Sequence, residues 1–288
     1  MQRKLHPLEG IVAMCALVLV LFLSVGFAQA QDVRKIALRS SSALVQDAET
    51  GEVVIGKNPE AVVSIASITK LMSAIVVLDS GLDLDEKIVL AREDAVAMKG
   101  SRSRLQTGLA ISRGDLLLLA LMASDNRAAA ALGRSYPGGM EVFVDAMNAR
   151  AAALDMHDSR FVEPTGLSPA NVSTASDLAK LVRAAHEYPL IREYSTRDRA
   201  AVRVTVGKRM RVLNYGNTNG LVRSKHWEIE LSKTGYISEA GRCLVMHVRL
   251  AEKDLIVVLL DSWGKHSRVG DANRIRKWLE SAGLDRSS

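Results

Sequence analysis

The chain has 288 residues, and 38 Lys and Arg against 32 Asp and Glu give it a formal net charge of +6 at pH 7. Only 4% of the residues are aromatic, and no basic run is interleaved with aromatic side chains, so the composition argues against nucleic-acid binding. The modest positive charge suits either an anionic partner or an ordinary solvated surface.

The N-terminal segment has the pattern of a secretory signal peptide. Basic residues precede an apolar run over residues 11–27, and Ala-Gln-Ala at residues 28–30 is a small-x-small cleavage pattern. The alternative is an uncleaved membrane anchor, for which this run is marginally short. We therefore predict a signal peptide over 1–30 and export, with membrane contact only through this segment before cleavage. Cys243 is then the single remaining cysteine, so no internal disulfide is expected.

The remaining chain is long enough for one large domain or two closely packed ones. We predict a short polar tether over residues 31–41, one folded domain over 42–283 and a tail over 284–288. The domain begins with two strands, at 43–47 and 53–57, and the Glu-Thr-Gly turn between them is typical of a hairpin.

Helical patterns dominate the middle of the chain. Ser112 is a good N-cap residue, and Thr174 begins a Thr-x-x-Asp sequence that is typical of a capping box. In the predicted helix over residues 138–153 we expect one buried face that includes Val142 and Met147. The predicted helices cover residues 67–78, 112–122, 126–132, 138–153 and 174–186.

The C-terminal third returns to strands and ends in an amphipathic helix around Val269–Leu279. Because strands lie at both ends of the chain and helices lie between them, we predict an α+β fold. It consists of an antiparallel sheet built from both chain ends and flanked by helices, with an inserted helical lobe. The predicted strands cover residues 201–206, 208–213, 227–235, 243–250 and 255–261.

Three short motifs stand in order along the chain, and each carries side chains suited to catalysis or binding. They are Ser67-Ile-Thr-Lys70, Ser124-Asp-Asn126 and Lys233-Thr-Gly235. A serine is a poor nucleophile without a base, and positions i and i+3 share one helix face, so Lys70 can take the proton of Ser67. This role requires a neutral lysine, which burial and a second cation, Lys233, would favour. The S-x-x-K pattern recurs at 262–265, but that serine follows a strand instead of beginning a helix.

The second motif falls between two predicted helices. A turn there can aim Ser124 and Asn126 into a cleft, with Ser124 as a proton relay and Asn126 as a hydrogen-bond partner of the substrate. The alternative is simple N-capping, since Ser, Asp and Asn are all good caps.

The third motif continues a strand, where Lys233 and Thr234 point to opposite faces. Both can serve one cleft only if it runs along an edge strand, which can also pair with an extended peptide. We expect Lys233 and Thr234 to bind a carboxylate and Gly235 to leave room for the substrate backbone. The backbone N–H groups of Ser67 and Tyr236 are expected to form an oxyanion hole.

With their flanking residues, these motifs resemble the low-molecular-mass penicillin-binding proteins, and most of all the D-alanyl-D-alanine endopeptidases of the penicillin-binding protein 7 type. Tyr136-Pro-Gly-Gly139 and Arg160-Phe-Val-Glu-Pro-Thr-Gly-Leu167 are further matching segments. The resemblance implies a β-lactamase/transpeptidase-like fold and a periplasmic serine enzyme. Such an enzyme cleaves D-alanyl-diaminopimelate cross-links in peptidoglycan through an acyl-enzyme on Ser67, and β-lactams such as penicillin inhibit it.

Two enzyme classes and one binding function remain as alternatives. A D-alanyl-D-alanine carboxypeptidase would use the same site to release a terminal D-Ala. A class A β-lactamase would need a deacylating glutamate. Glu163 follows Ser124 at a suitable distance, but the leucine after it is one place late and no asparagine follows. A non-catalytic cell-wall binder would not need Lys70.

Metal or cofactor chemistry is not expected. The six histidines are scattered, and no His-x-x-x-His or His-Glu-x-x-His spacing occurs. No Gly-x-Ser-x-Gly elbow or phosphate-binding loop is present either. We therefore predict no metal and no cofactor, and we expect Cys243 to be a small buried hydrophobic residue.

Overall fold

The computed structural model describes residues 36–95, 103–207, 209–250 and 252–284. The predicted signal peptide lies outside these residues, so its cleavage stays a prediction. The described residues from Leu38 onward form one compact unit. Within the described residues, no helix is both long and apolar enough to cross a bilayer.

Strands at both ends of this unit enclose a mainly helical middle. The strands are β1 (Ser40–Asp47), β2 (Val53–Lys57), β3 (Val63–Ser64), β4 (Lys87–Val89), β5 (Ala110–Ser112), β6 (Val172–Ser173), β7 (Arg199–Val206), β8 (Arg209–Gly216), β9 (Glu228–Ile237), β10 (Gly241–Leu250) and β11 (Lys253–Ser262). The helices are α1 (Thr69–Asp79), α2 (Arg113–Met122), α3 (Asn126–Arg134), α4 (Gly139–Ala153), α5 (Ala175–His186), α6 (Pro189–Thr196) and α7 (Ser267–Leu284). β1 thus begins inside the predicted tether.

The main sheet is five-stranded and antiparallel, in the order β2-β1-β11-β10-β9. β1 pairs with β11 in a register that places Val45 opposite Val257, so both ends of the described chain meet in one sheet. The middle of β10 and of β11 is continuously buried, as expected where a sheet is covered on both faces. Helices α5 and α7 pack against both strands. The predicted α+β fold is confirmed, and β9 lies at the edge of the sheet.

The inserted lobe is organised around α1. This helix is buried from Thr69 to Val77, which is typical of a helix surrounded by others. It contacts α2, α3, α4 and α5. A four-stranded sheet in the order β4-β5-β7-β8 and the short pair β3-β6 complete the described part of the lobe. The short turn Ala66–Ile68, which leads into α1, contacts β9 and β10 of the main sheet.

Two details of the helices differ from their sequence predictions. Val142, expected on the buried face of α4, is 45% exposed, whereas Met147 is fully buried. Thr174 does cap α5, because its side chain accepts the N–H of Asp177 at 3.0 Å. The Asp177 carboxylate, however, accepts hydrogen bonds from residues 158 and 159. The acidic residue of the expected capping box thus ties a neighbouring loop to the helix.

Candidate active site

Ser67 lies in a short 3-10 turn that leads directly into α1. The turn is strained, because Ala66 has a φ of 47°, in the left-handed region that non-glycine residues rarely adopt. Two glycines pack against it. A Cβ atom on Gly166 would lie 1.9 Å from the Ala66 carbonyl oxygen, and one on Gly235 would lie 3.0 Å from the Ile65 carbonyl oxygen. These close backbone approaches hold the turn, and with it the Ser67 hydroxyl, in place.

The Lys70 ammonium is buried beside this hydroxyl. Its Nζ lies 2.8 Å from Ser67 Oγ and 2.7 Å from Asn126 Oδ1, and it also contacts the carbonyl oxygen of Thr165. A neutral amine has two N–H donors and one lone pair. The Asn126 and Thr165 oxygens can only accept, so in the neutral state they take both donors and leave the lone pair to the Ser67 hydroxyl. This geometry suits a base for the serine proton.

The electrostatic environment favours that neutral state. Burial lowers the pKa of Lys70 to about 7, although the charges of Glu163 and Asp125 act in the opposite direction. The pKa of Lys233 is also lowered, first by burial and then by repulsion from Lys70 and Arg268. Of the two causes expected for the lowered Lys70 pKa, burial and the nearby Lys233, burial is the larger. A substantial fraction of Lys70 is therefore neutral near pH 7.

The Ser-Asp-Asn turn links the two lysines. Ser124, which has a φ of 56°, accepts a hydrogen bond from Lys233 Nζ at 2.8 Å, while Asn126 accepts one from Lys70. The middle residue, Asp125, is the N-cap of α3 and accepts the N–H of Ala128 at 3.0 Å. Within the motif, Asp125 thus caps α3, and the flanking side chains of Ser124 and Asn126 remain in the cleft.

The third motif reaches the cleft from the edge strand β9. Lys233 is 1% exposed and donates to Ser124 and to the Thr234 carbonyl oxygen, the latter at 2.9 Å. Thr234 Oγ1 donates to Thr218 Oγ1 at 2.7 Å. Tyr236 is exposed, and the Arg242 guanidinium lies 4.4 Å from the centre of its ring. The structure therefore brings the three motifs to one cleft, and the catalytic, binding and oxyanion roles of their residues stay predictions.

A cation that the sequence analysis missed stands beside this strand. Arg268, from the start of α7, donates to the carbonyl oxygens of Gly235 at 2.9 Å and Cys243 at 3.1 Å. No spacing motif could have indicated it, because α7 reaches β9 and β10 only through the fold. Its guanidinium adds a positive charge beside β9.

Glu163 has a structural position. Its Oε2 accepts the N–H of Thr165 at 2.6 Å, and its Oε1 accepts the N–H groups of Gly166 and Leu167 at 2.7 and 2.9 Å. The same Oε1 also accepts from Asn171 Nδ2 at 2.7 Å. A carboxylate held in this way shapes the loop that packs against the nucleophile turn, and it is poorly placed to activate a water molecule.

The second S-x-x-K sequence, at residues 262–265, lacks the surroundings that Ser67 and Lys70 have. Ser262 is 1% exposed at the end of β11, and Lys265 is exposed. Position in the fold therefore distinguishes the two copies, as the sequence analysis expected.

The fold and the site define a class of enzyme, the serine acyl-transfer enzymes in which a lysine lies where other serine hydrolases place a histidine. Residues 28–264 match the peptidase S11 family, described as D-alanyl-D-alanine carboxypeptidase, and the chain belongs to this family.

Similar proteins agree with this assignment. The chain is 50% identical to a D-alanyl-D-alanine endopeptidase of Pseudomonas aeruginosa over 85% of this chain and 78% of that protein. It is 47% identical to a D-alanyl-D-alanine endopeptidase of Escherichia coli, with the same shares covered. The crystal structure of the Streptomyces K15 DD-transpeptidase superposes with a TM-score of 0.79 at 27% identity, covering 86% of this chain and 98% of that one.

Proposed function

We propose that the protein is a serine D-alanyl-D-alanine endopeptidase that hydrolyses D-alanyl-diaminopimelate cross-links in peptidoglycan. The observation that carries this proposal is the contact between Ser67 Oγ and a buried Lys70 whose other two partners are acceptors. The names of the relatives at 50% and 47% identity support the endopeptidase activity. We also propose that it acts in the periplasm, which the predicted signal peptide supports.

The geometry supports the following course of reaction. Ser67 Oγ attacks the D-Ala carbonyl carbon while Lys70 takes the hydroxyl proton. The C–N bond then breaks, and the leaving amine takes the proton that Lys70 accepted; Ser124, which accepts a hydrogen bond from Lys233, is the proposed relay for this proton. Water attacks the acyl-enzyme with Lys70 again as base, which releases the new D-Ala carboxylate and restores Ser67.

Substrate binding follows from the edge strand and its cations. In the cross-link, the carbon next to the scissile nitrogen carries a carboxylate, and the proposed partners of this carboxylate are Lys233, Thr234 and Arg268. The extended peptide can pair with β9. Asn126 contacts Lys70, and its proposed role is to hydrogen-bond the substrate amide.

Digestion of purified muropeptides tests this function. We expect the protein to convert cross-linked dimers to monomers, detected by mass spectrometry, and the Ser67→Ala variant to be inactive because it lacks the nucleophile. Ser262→Ala, which changes the serine of the second S-x-x-K sequence, is the matched control and should retain activity. Release of terminal D-Ala from monomers with persistence of dimers would instead establish a carboxypeptidase.

Penicillin is expected to acylate Ser67 and to remain bound for many minutes. Both carboxylate oxygens of Glu163 already accept backbone N–H groups, so this residue does not supply the deacylating base of a class A β-lactamase. The measurement is labelling by a fluorescent penicillin followed by a chase with unlabelled drug. Fast turnover of nitrocefin would favour the β-lactamase, and labelling that persists in Ser67→Ala would refute the assigned nucleophile.

A further inference from the structure

Three metal-ligating side chains meet where α5 packs against the edge of the main sheet. They are His186 at the end of α5, Glu230 on β9 and His247 on β10, and one potential ligand atom of each lies within 4.8 Å of the other two. His186 Nε2 is 2.6 Å from Glu230 Oε2, and His247 Nδ1 is 3.4 Å from the same oxygen. The two imidazole rings are stacked, with their centres 3.8 Å apart. No sequence motif marks this cluster, because its members come from three separate elements.

The buried member of the cluster has an unused polar atom. The His247 side chain is 6% exposed, and its Nδ1 has no hydrogen-bond partner among the described residues. A buried nitrogen without a partner is uncommon in native structures and calls for a partner such as an ion.

The surroundings permit a cation to enter and to stay. The side chains of His186 and Glu230 are 22% and 36% exposed, so the cluster is open to solvent on one side. Asp254 lies close enough to affect His247 electrostatically, and its buried Oδ1 has no hydrogen-bond partner among the described residues. Its negative charge favours a cation here, whereas the nearby charge of Arg183 opposes one.

We propose that His186, Glu230 and His247 bind a divalent transition-metal ion, zinc above all, with water completing the coordination. Two imidazole nitrogens and one carboxylate oxygen are ligands that zinc accepts. Tetrahedral ligands at about 2.0–2.2 Å from zinc are about 3.4 Å apart. The 3.4 Å between His247 Nδ1 and Glu230 Oε2 already fits this spacing. The shorter contact of His186 must open, and the stacked rings must turn until their nitrogens converge.

The ion would act on the fold rather than in the reaction. It would tie α5 to β9 and β10, and β9 is the strand that carries Lys233 and Thr234. Because the ion binds the folded protein, it would raise the thermal stability as its concentration rises.

Zinc binding to the untagged protein tests the site. After treatment with a chelator and its removal, titration with zinc chloride in a calorimeter should show one zinc ion per chain and a rise in melting temperature. His186→Gln and Glu230→Gln should each raise the dissociation constant at least ~10-fold. His157→Gln, at a histidine that is 77% exposed and outside the cluster, is the matched control and should bind zinc normally.

Circular dichroism establishes that each variant is folded, and both substitutions lie at partly exposed positions, so the result does not depend on changing buried His247. Absence of saturable zinc binding to the folded protein would overturn the proposal. So would unchanged affinity in both cluster variants, and the residues would then form only a hydrogen-bonded contact between α5 and the sheet.

Discussion

Replacing Lys70 by Met is expected to slow the acylation of Ser67 by penicillin by about 10³-fold, within the range that general-base catalysis contributes. Met retains much of the side-chain volume in a site that is 1% exposed, but it has no lone pair for the proton of Ser67. The rate constant is measured with a fluorescent penicillin in excess over the enzyme. A variant that is folded, as judged by circular dichroism, and acylates within tenfold of the wild-type rate would contradict the assigned base.

The second S-x-x-K sequence supplies the matched control for this substitution. Lys265→Met removes an exposed lysine with the same spacing from a serine, and it should leave the acylation rate unchanged. Comparison of the two variants separates the effect of the buried base from that of losing one positive charge.

The pH profile tests the same role for Lys70. Its pKa is lowered to about 7, so the neutral, proton-accepting form increases as pH rises through that value. We expect the acylation rate of the wild type to rise about tenfold per pH unit well below pH 7 and to level off above it. Lys70→Met should lose this dependence. A profile that is flat from pH 5 to 9 in the wild type would place the base elsewhere.

Much of the fold could be predicted because its signals are local. Ser112 accepts the N–H of Asp115, as an N-cap should, and the hairpin strands at both ends of the chain follow alternating or continuously apolar runs. Helix α6 was missed because it is only eight residues long, and only Ile191 and Ser195 of it are buried.

The residues of the candidate site also comprise some that local spacing predicts and others that it does not. Its motif residues could be identified because their spacing is imposed by a helix turn or a strand. Arg268 and the loop function of Glu163 could not, since both depend on contacts that only the folded chain creates. The His186, Glu230 and His247 cluster was missed for the same reason.

Gly166→Ala should destabilise the protein and disable the nucleophile together. Gly166 has a φ of 77°, where an alanine costs about 1–2 kcal/mol. The new Cβ would lie 1.9 Å from the Ala66 carbonyl oxygen and 2.8 Å from the Ser67 nitrogen. Because the new Cβ and the Ala66 carbonyl oxygen cannot stay this close, the turn that carries Ser67 must move. We therefore expect a loss of about 3 kcal/mol or more in the free energy of unfolding.

Gly81→Ala is the control that separates the cost of backbone strain from the effect of displacing the turn that carries Ser67. Gly81 has a φ of 64°, but a Cβ there would meet no atom within 4 Å, so only the backbone cost of about 1–2 kcal/mol is expected. Urea unfolding measures both stabilities, and penicillin labelling measures the nucleophile. Because the displaced turn carries both the Ser67 hydroxyl and its N–H, Gly166→Ala should acylate far more slowly than Gly81→Ala. Equal stability and equal labelling of the two variants would show that the contact between Gly166 and Ala66 does not position the serine.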